Sequence, residues 1–123
     1  AYRATVHRTL ETGIGLIHDK RDTRLTGHLL DISATGCKAR FSGDQSAQLK
    51  PGDIFQPSYL DLPETGRLSV ALEIRHAIYD EARDETCAGL RFRQPGPIAQ
   101  RQIDRYVNTL QREARRLEKD DLF

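Results

Sequence analysis

The sequence predicts a mainly β fold: a small antiparallel barrel of about six strands in residues 1–95, followed by a C-terminal α-helix in residues 96–123 of the same domain. Three observations carry this. Short runs in which apolar and polar residues alternate recur up to residue 92, with turn signals between them. Hydrophobic residues make up only 37% of 123 residues, with no Trp or Met, so the core is thin and built from aliphatic residues and a few Phe and Tyr. Only after Pro95-Gly96-Pro97 does the apolar spacing change to steps of four and three.

Residues 2–10 and 13–18 read as two short strands with Glu11-Thr12-Gly13 as the turn between them, and residues 19–22 as a charged loop. Residues 25–32 are rich in aliphatics; beyond them Cys37, Ala39 and Phe41 alternate with Lys38 and Arg40, a strand with one buried and one wet face. The connection Asp31-Ile32-Ser33-Ala34-Thr35-Gly36 suits a chain reversal. Asp or Ser can bond nearby backbone N–H groups, and Gly permits a positive φ. On spacing alone it is an ordinary hairpin turn.

Residues 42–52 are polar and end in the Pro51-Gly52 turn signal. Residues 54–62 contain Pro57, which makes them an interrupted or edge strand. Residues 68–79 are the longest strand candidate. Val70, Leu72 and Ile74 share one parity and Ala77 and Tyr79 the other, which predicts a bulge or twist near His76. Residues 86–92 form the last strand. Six or so strands at this spacing favour a closed or nearly closed barrel. In the helix, Ile103, Val107, Leu110, Ala114 and Leu117 make a narrow apolar seam. Such a seam lies on the barrel or closes its open end; its other outlet is pairing with a second copy to give a homodimer.

Composition excludes several functions. A formal net charge of +1 gives no whole-chain footprint for DNA. The first forty residues are basic and the stretch 61–85 leans acidic, a pattern that solvation of the surface largely explains. No apolar run reaches the roughly 20 residues of a membrane span. Cys37 and Cys87, far apart and strand-borne, read as reduced thiols of a cytosolic protein. His7, His18, His28 and His76 lack the spacing of a metal site, His18 and His28 reading as strand-surface side chains. No nucleophile–base pair or phosphate-cradling Gly loop points to an enzyme. An oligonucleotide-binding barrel would want more exposed aromatics than 7% aromatic content offers.

Asp31-x-Ser33-x-x-Gly36, followed by an alternating strand, resembles the Asn/Asp-x-Ser-x-x-Gly motif of PilZ domains, bacterial receptors for cyclic di-GMP. Leu49-Lys50-Pro51-Gly52-Asp53, Leu72-Glu73-Ile74-Arg75-His76 and Cys87-Ala88-Gly89-Leu90-Arg91-Phe92 resemble later segments of that family in order. The C-terminal residues 101–107 and 110–116 are similar to those of YcgR-type flagellar brakes. The resemblance implies a PilZ-type barrel that binds cyclic di-GMP, with no cofactor and no metal. It also implies an N-terminal YcgR-type domain absent from this chain, flagellar motor or switch proteins as partners, and a cytoplasmic location associated with the flagellar basal body.

Such a ligand carries two phosphodiester anions and two guanines. Arginine reaches phosphate in a bidentate way and can stack on a base, a carboxylate accepts from a guanine edge, and glycine lets the ligand approach the backbone. The resemblance assigns these roles to Arg3, Asp31, Ser33 and Gly36. The family's Arg-x-x-x-Arg motif is incomplete. Arg3 fits its second arginine, and the first would lie upstream of Ala1, as in a fragment; in the other register, from Arg3, His7 offers only a histidine and Arg8 is one residue too far. Loss of one such contact costs roughly 1.5–3 kcal/mol, about ten- to a hundredfold in affinity, so the chain as given is expected to bind poorly and an extended one to bind. The rival expectation is a PilZ-like protein-interaction module that has lost its nucleotide.

Overall fold

The computed structural model describes residues 3–6, 12–18 and 20–121, with side chains to residue 116. Among the described residues there are nine strands where about six were expected: β1 (Arg3–Thr5), β2 (Gly13–His18), β3 (Thr23–Ser33), β4 (Gly36–Ser42), β5 (Ile54–Phe55), β6 (Tyr59–Leu62), β7 (Gly66–Ser69), β8 (Ala71–Asp80) and β9 (Glu85–Arg93). One helix, α1 (Gly96–Asp121), follows. Every pairing is antiparallel, in the order β5-β8-β9-β4-β3-β2-β6-β7, with β1 also on β3.

The extra strands come from corners. Pro57, which has no N–H for a ladder, separates β5 from β6. Val70 separates β7 from β8, so one run of chain serves both edges of the sheet: β7 pairs with β6, and β8 with β5 and β9. Among the described residues no ladder closes the sheet between β5 and β7, so of the closed or nearly closed barrel expected it is the open-seamed form. The two edges are tied instead by chain continuity and by the Val70 N–H donating to the Ser58 carbonyl at 2.9 Å.

The pairing of the first strands also differs from expectation. β1 and β2 do not pair with each other; both lie along β3, β1 opposite residues 31–33 and β2 opposite residues 23–28. At 11 residues β3 outruns its six-residue partner β2, and β1 covers the remaining length. The rest of the expected first strand and its turn, with His7, Arg8 and Glu11, lies outside the described residues.

Alternation places Leu16, Leu29, Ile32, Phe41, Leu72 and Ile74 in one buried core. The helix buries Ala99, Ile103, Tyr106, Val107 and Leu110 and contacts β1 and β3. Ala99 and Tyr106 widen the seam into the broad stripe of a helix packed on a globular core. Ile103, Val107 and Leu110 are therefore used within the chain, which removes most of the seam proposed for a homodimer; the side chain of Leu117 lies outside the described set. Thr86, fully buried, anchors the polar loop after β4: its Oγ1 accepts from the Gln45 N–H at 2.9 Å and donates to the Gly43 carbonyl at 2.7 Å. His18 and His28 are half-buried, each with a buried and unpartnered Nδ1, and His18 meets the Phe55 ring edge-on.

Both cysteines are free, Cys37 buried and Cys87 partly so. Burial, reinforced by the nearby Asp31 carboxylate and opposed by Arg3, pushes the Cys37 thiol from 9.0 up to about 12. At pH 8 a thiol reagent should therefore modify Cys87 in the folded chain and reach Cys37 only on unfolding. Between pH 9 and about 12 the unfolded chain releases a proton that the folded one retains, so stability is intact below pH 9 and falls as pH rises. Denaturant titrations across that window in the protein and in Cys37→Ala should differ in slope, the variant losing this part of the decline.

Candidate functional site

Where Asp31 points is decided by one inserted residue. In β3 the register runs Leu29↔Ala39 and then Asp31↔Lys38, leaving Leu30 unpaired in a bulge. Residues 27, 29 and 31 share a parity, so without Leu30 the Asp31 side chain would face the core. With it, Asp31 emerges on the outer face and Ile32 takes the buried position. Cross-strand pairing then sets Arg3 opposite Ser33 and Thr5 opposite Asp31 on that face. The Arg3 Nη1 donates to Asp31 Oδ1 at 2.6 Å. Arg3's side chain is 50% exposed and Asp31's 18%, so the pair forms a charged lip at the end of the β3–β4 hairpin.

Ser33 and Gly36 are brought to the same corner but are used differently. Ser33 is buried, and its Oγ accepts from the Gly36 N–H at 3.2 Å and the Thr35 N–H at 3.3 Å while donating to the Gly36 carbonyl at 3.3 Å. The hydroxyl is consumed in holding the turn. Gly36 is needed for space and not, as the sequence reading had it, for a positive φ, which is found instead at Gly43, Gly52, Gly66 and Gly96. A Cβ at Gly36 would meet the Leu90 carbonyl oxygen of β9 at 2.3 Å. A residue missed by sequence reasoning braces the outside of the turn: Gln100 on α1 donates to the Ala34 carbonyl at 2.8 Å. Nothing in the helix pattern marks a glutamine for that contact.

A second bulge lies on the other side of the Lys38–Gly89 row from the first. In β8 the register passes from Ile74↔Leu90 to His76↔Gly89, leaving Arg75 unpaired, at the place where the parity of the sequence switches. One continuous row on the outer face thus reads Asp31, Lys38, Gly89, His76 across β3, β4, β9 and β8. Arg91, two residues from Gly89, stands opposite Gly36 on the same face. Elsewhere in the basic entrance two arginines have acidic partners. Arg21 pairs with Asp53 at 3.1 Å and Arg40 with Glu85 at 3.8 Å, while Arg67 pairs with Asp61 at 2.9 Å and lies over the Tyr59 ring. Among the described residues no group of His, Cys, Asp and Glu could hold a metal ion, and no helix is long and apolar enough to cross a membrane.

A family model for the PilZ domain matches residues 3–109, spanning every described strand and the Asp31–Gly36 corner. The chain belongs to the PilZ domain family. No curated protein matches the chain in sequence. Among solved structures, it is similar to the PilZ domain with c-di-GMP of YcgR from Escherichia coli, at 22% identity and a TM-score of 0.72, covering 98% of this chain and 95% of that one. It is also similar to MrkH of K. pneumonia in its apo state, at 19% identity and a TM-score of 0.81, covering 94% of this chain and 50% of that one. The inhibitor of motility MotI/DgrA of Bacillus subtilis matches at 13% identity and a TM-score of 0.69, covering 97% of this chain and 52% of that one. The chain thus spans about half the length of the last two. At these identities the likeness is one of PilZ fold.

If Ser33 and Gly36 build the corner, their variants should act through stability. Ser33→Ala strands two backbone N–H groups near the core and should cost about 1–3 kcal/mol in chemical denaturation. Gly36→Ala, which drives a methyl into the β9 backbone, should cost at least as much. Unchanged midpoints for both would show that the turn does not depend on them.

Proposed function

We propose that this chain is a cyclic di-GMP receptor domain that, within a YcgR-type protein, modulates the flagellar motor. The observation that carries the reading is the Arg3–Asp31 pair, a cation for phosphate and an acceptor for a guanine edge held together on an exposed lip of a PilZ fold. Support also comes from neighbours of the same fold, one solved with c-di-GMP and one described as an inhibitor of motility.

Energetics favour exchange of this pair for a ligand. An exposed ion pair is worth about 0–1 kcal/mol. A charge-assisted bond to phosphate is worth roughly 1.5–3 kcal/mol, and the guanine edge returns to Asp31 the donors that Arg3 gives up. The corner binds and does not transform. Ser33's hydroxyl is spent on the turn, and Cys37 beneath it remains a protonated thiol up to about pH 12.

In this reading Arg3 is the second arginine of an Arg-x-x-x-Arg clamp whose first member lies four positions upstream. An N-terminal YcgR-type domain, motor or switch proteins as partners, and a cytoplasmic place near the flagellar basal body belong to the same proposal. Ligand bridging the two halves would shift their equilibrium by its differential affinity for the two arrangements. The rival, a protein-interaction module without nucleotide, loses its main surface, since the helix seam is buried against the barrel.

Titration calorimetry with cyclic di-GMP tests the reading. Asp31→Ala should weaken binding at least tenfold while leaving thermal unfolding nearly unchanged. The chain beginning at Ala1 should bind about ten- to a hundredfold less tightly than one carrying an upstream arginine. Equal affinity of the two chains would refute the assignment of Arg3, and indifference to Asp31→Ala would refute the receptor reading.

A further inference from the structure

We propose that Lys38, His76 and Arg91 form a second contact zone for the same ligand, taking the nucleotide half that the Arg3–Asp31 lip leaves free; this rests on the receptor reading above. The zone lies on the row that begins at Asp31. His76 is three strands away, roughly 14 Å at the usual spacing, so a ligand of two linked nucleotides can meet both ends where a single nucleotide cannot.

Three features set these residues apart from ordinary surface polar groups. The first is their lack of partners. Arg75 and Arg93 share Glu73 at 3.6 and 3.0 Å, and Arg40 has Glu85, yet among the described residues no hydrogen bond or ion pair engages the side chain of Lys38, Arg91 or His76. The second is the bulge at Arg75. Residues 72, 74 and 76 share a parity, and Leu72 and Ile74 are buried; the extra residue turns His76 out beside Lys38 instead of into the core.

The third is Gly89, whose φ is not positive and whose value is space. A Cβ there would meet His76 Nε2 at 2.4 Å and Cε1 at 2.7 Å, so the missing side chain lets the exposed imidazole lie across β9. Lys38, level with that glycine, and Arg91, two residues along β9, supply N–H donors to a phosphodiester. The imidazole supplies a ring against which a purine can stack.

The test is calorimetric titration of cyclic di-GMP into the full protein and its Lys38→Gln, Arg91→Gln and His76→Ala variants, with Asp31→Ala beside them. Amide resonances of His76 and Gly89 are followed in parallel. The three side chains make no bond among the described residues, so melting temperatures should stay level. Lys38→Gln and Arg91→Gln should each weaken binding about tenfold or more, and His76→Ala about fivefold or more, with both amides shifting as ligand is added. If the three variants bind like the unaltered protein while Asp31→Ala loses binding, the second zone is overturned and the receptor reading stands. If the unaltered protein gives neither heat nor shifts, both fall. If the three variants weaken binding and Asp31→Ala does not, the zone stands and the lip is wrong.

Discussion

A sheet that hides one face must expose the other, and in this fold the surplus residue at Leu30 determines which face Asp31 joins. Strict alternation from Leu29 would put a carboxylate into a core of Ile and Leu, where an unpaired charge costs several kcal/mol. The bulge removes that cost and places Asp31 opposite Thr5 and diagonal to Arg3, and all of the corner's chemistry follows from that placement. The bulge at Arg75 repeats the device two strands beyond β4, on the opposite side of the Lys38–Gly89 row. β4 and β9, regular between them, carry the flat part of the outer surface.

The Asp-x-Ser-x-x-Gly corner joins residues of two kinds. Ser33 and Gly36 make the reversal possible, one by satisfying two backbone donors and the other by yielding room to Leu90. Asp31 and Arg3 contribute little to holding it, since an exposed ion pair is worth about 1 kcal/mol at most. The scaffold half of the motif is therefore rigid and the charged half exchangeable. A ligand can replace the Arg3–Asp31 contact without dismantling the turn beneath it.

Much of this was legible in one sequence. The alternation of Cys37, Ala39 and Phe41 marked β4, the parity switch marked the β8 bulge, Pro57 marked the break between β5 and β6, and the motif marked the corner. What was hidden depends on partners far away in the chain. Nothing local tells β1 to lie beside residues 31–33, because three residues carry almost no register information and β3's spare length decides the matter. Val70 follows Ser69 with no Gly or Pro beside it, and only the geometry of two sheet edges makes it a corner. The helix seam showed its spacing but not its occupant. Gly36 was assigned its conformational freedom when its actual constraint is the β9 backbone, a neighbour more than fifty residues on.

The position of β1 links the lip to the rest of the molecule. Ala4 and Val6 are buried within the segment whose Arg3 faces out, with β3 on one side and α1 packed nearby. Arg3 is thus the outward side chain of a strand whose inward side chains touch the core. In the receptor reading proposed above, a ligand that took over Arg3 from Asp31 would act on this three-residue strand, which has few ladder bonds of its own. Elements with so few bonds open at low free-energy cost, so the differential contact needed to bias their position is small. Gln100 ties α1 to the carbonyl of Ala34 inside the motif turn, so the helix touches the corner through the turn as well as through β1. Two separate contacts, one through β1 and one through Gln100, thus join α1 to this corner.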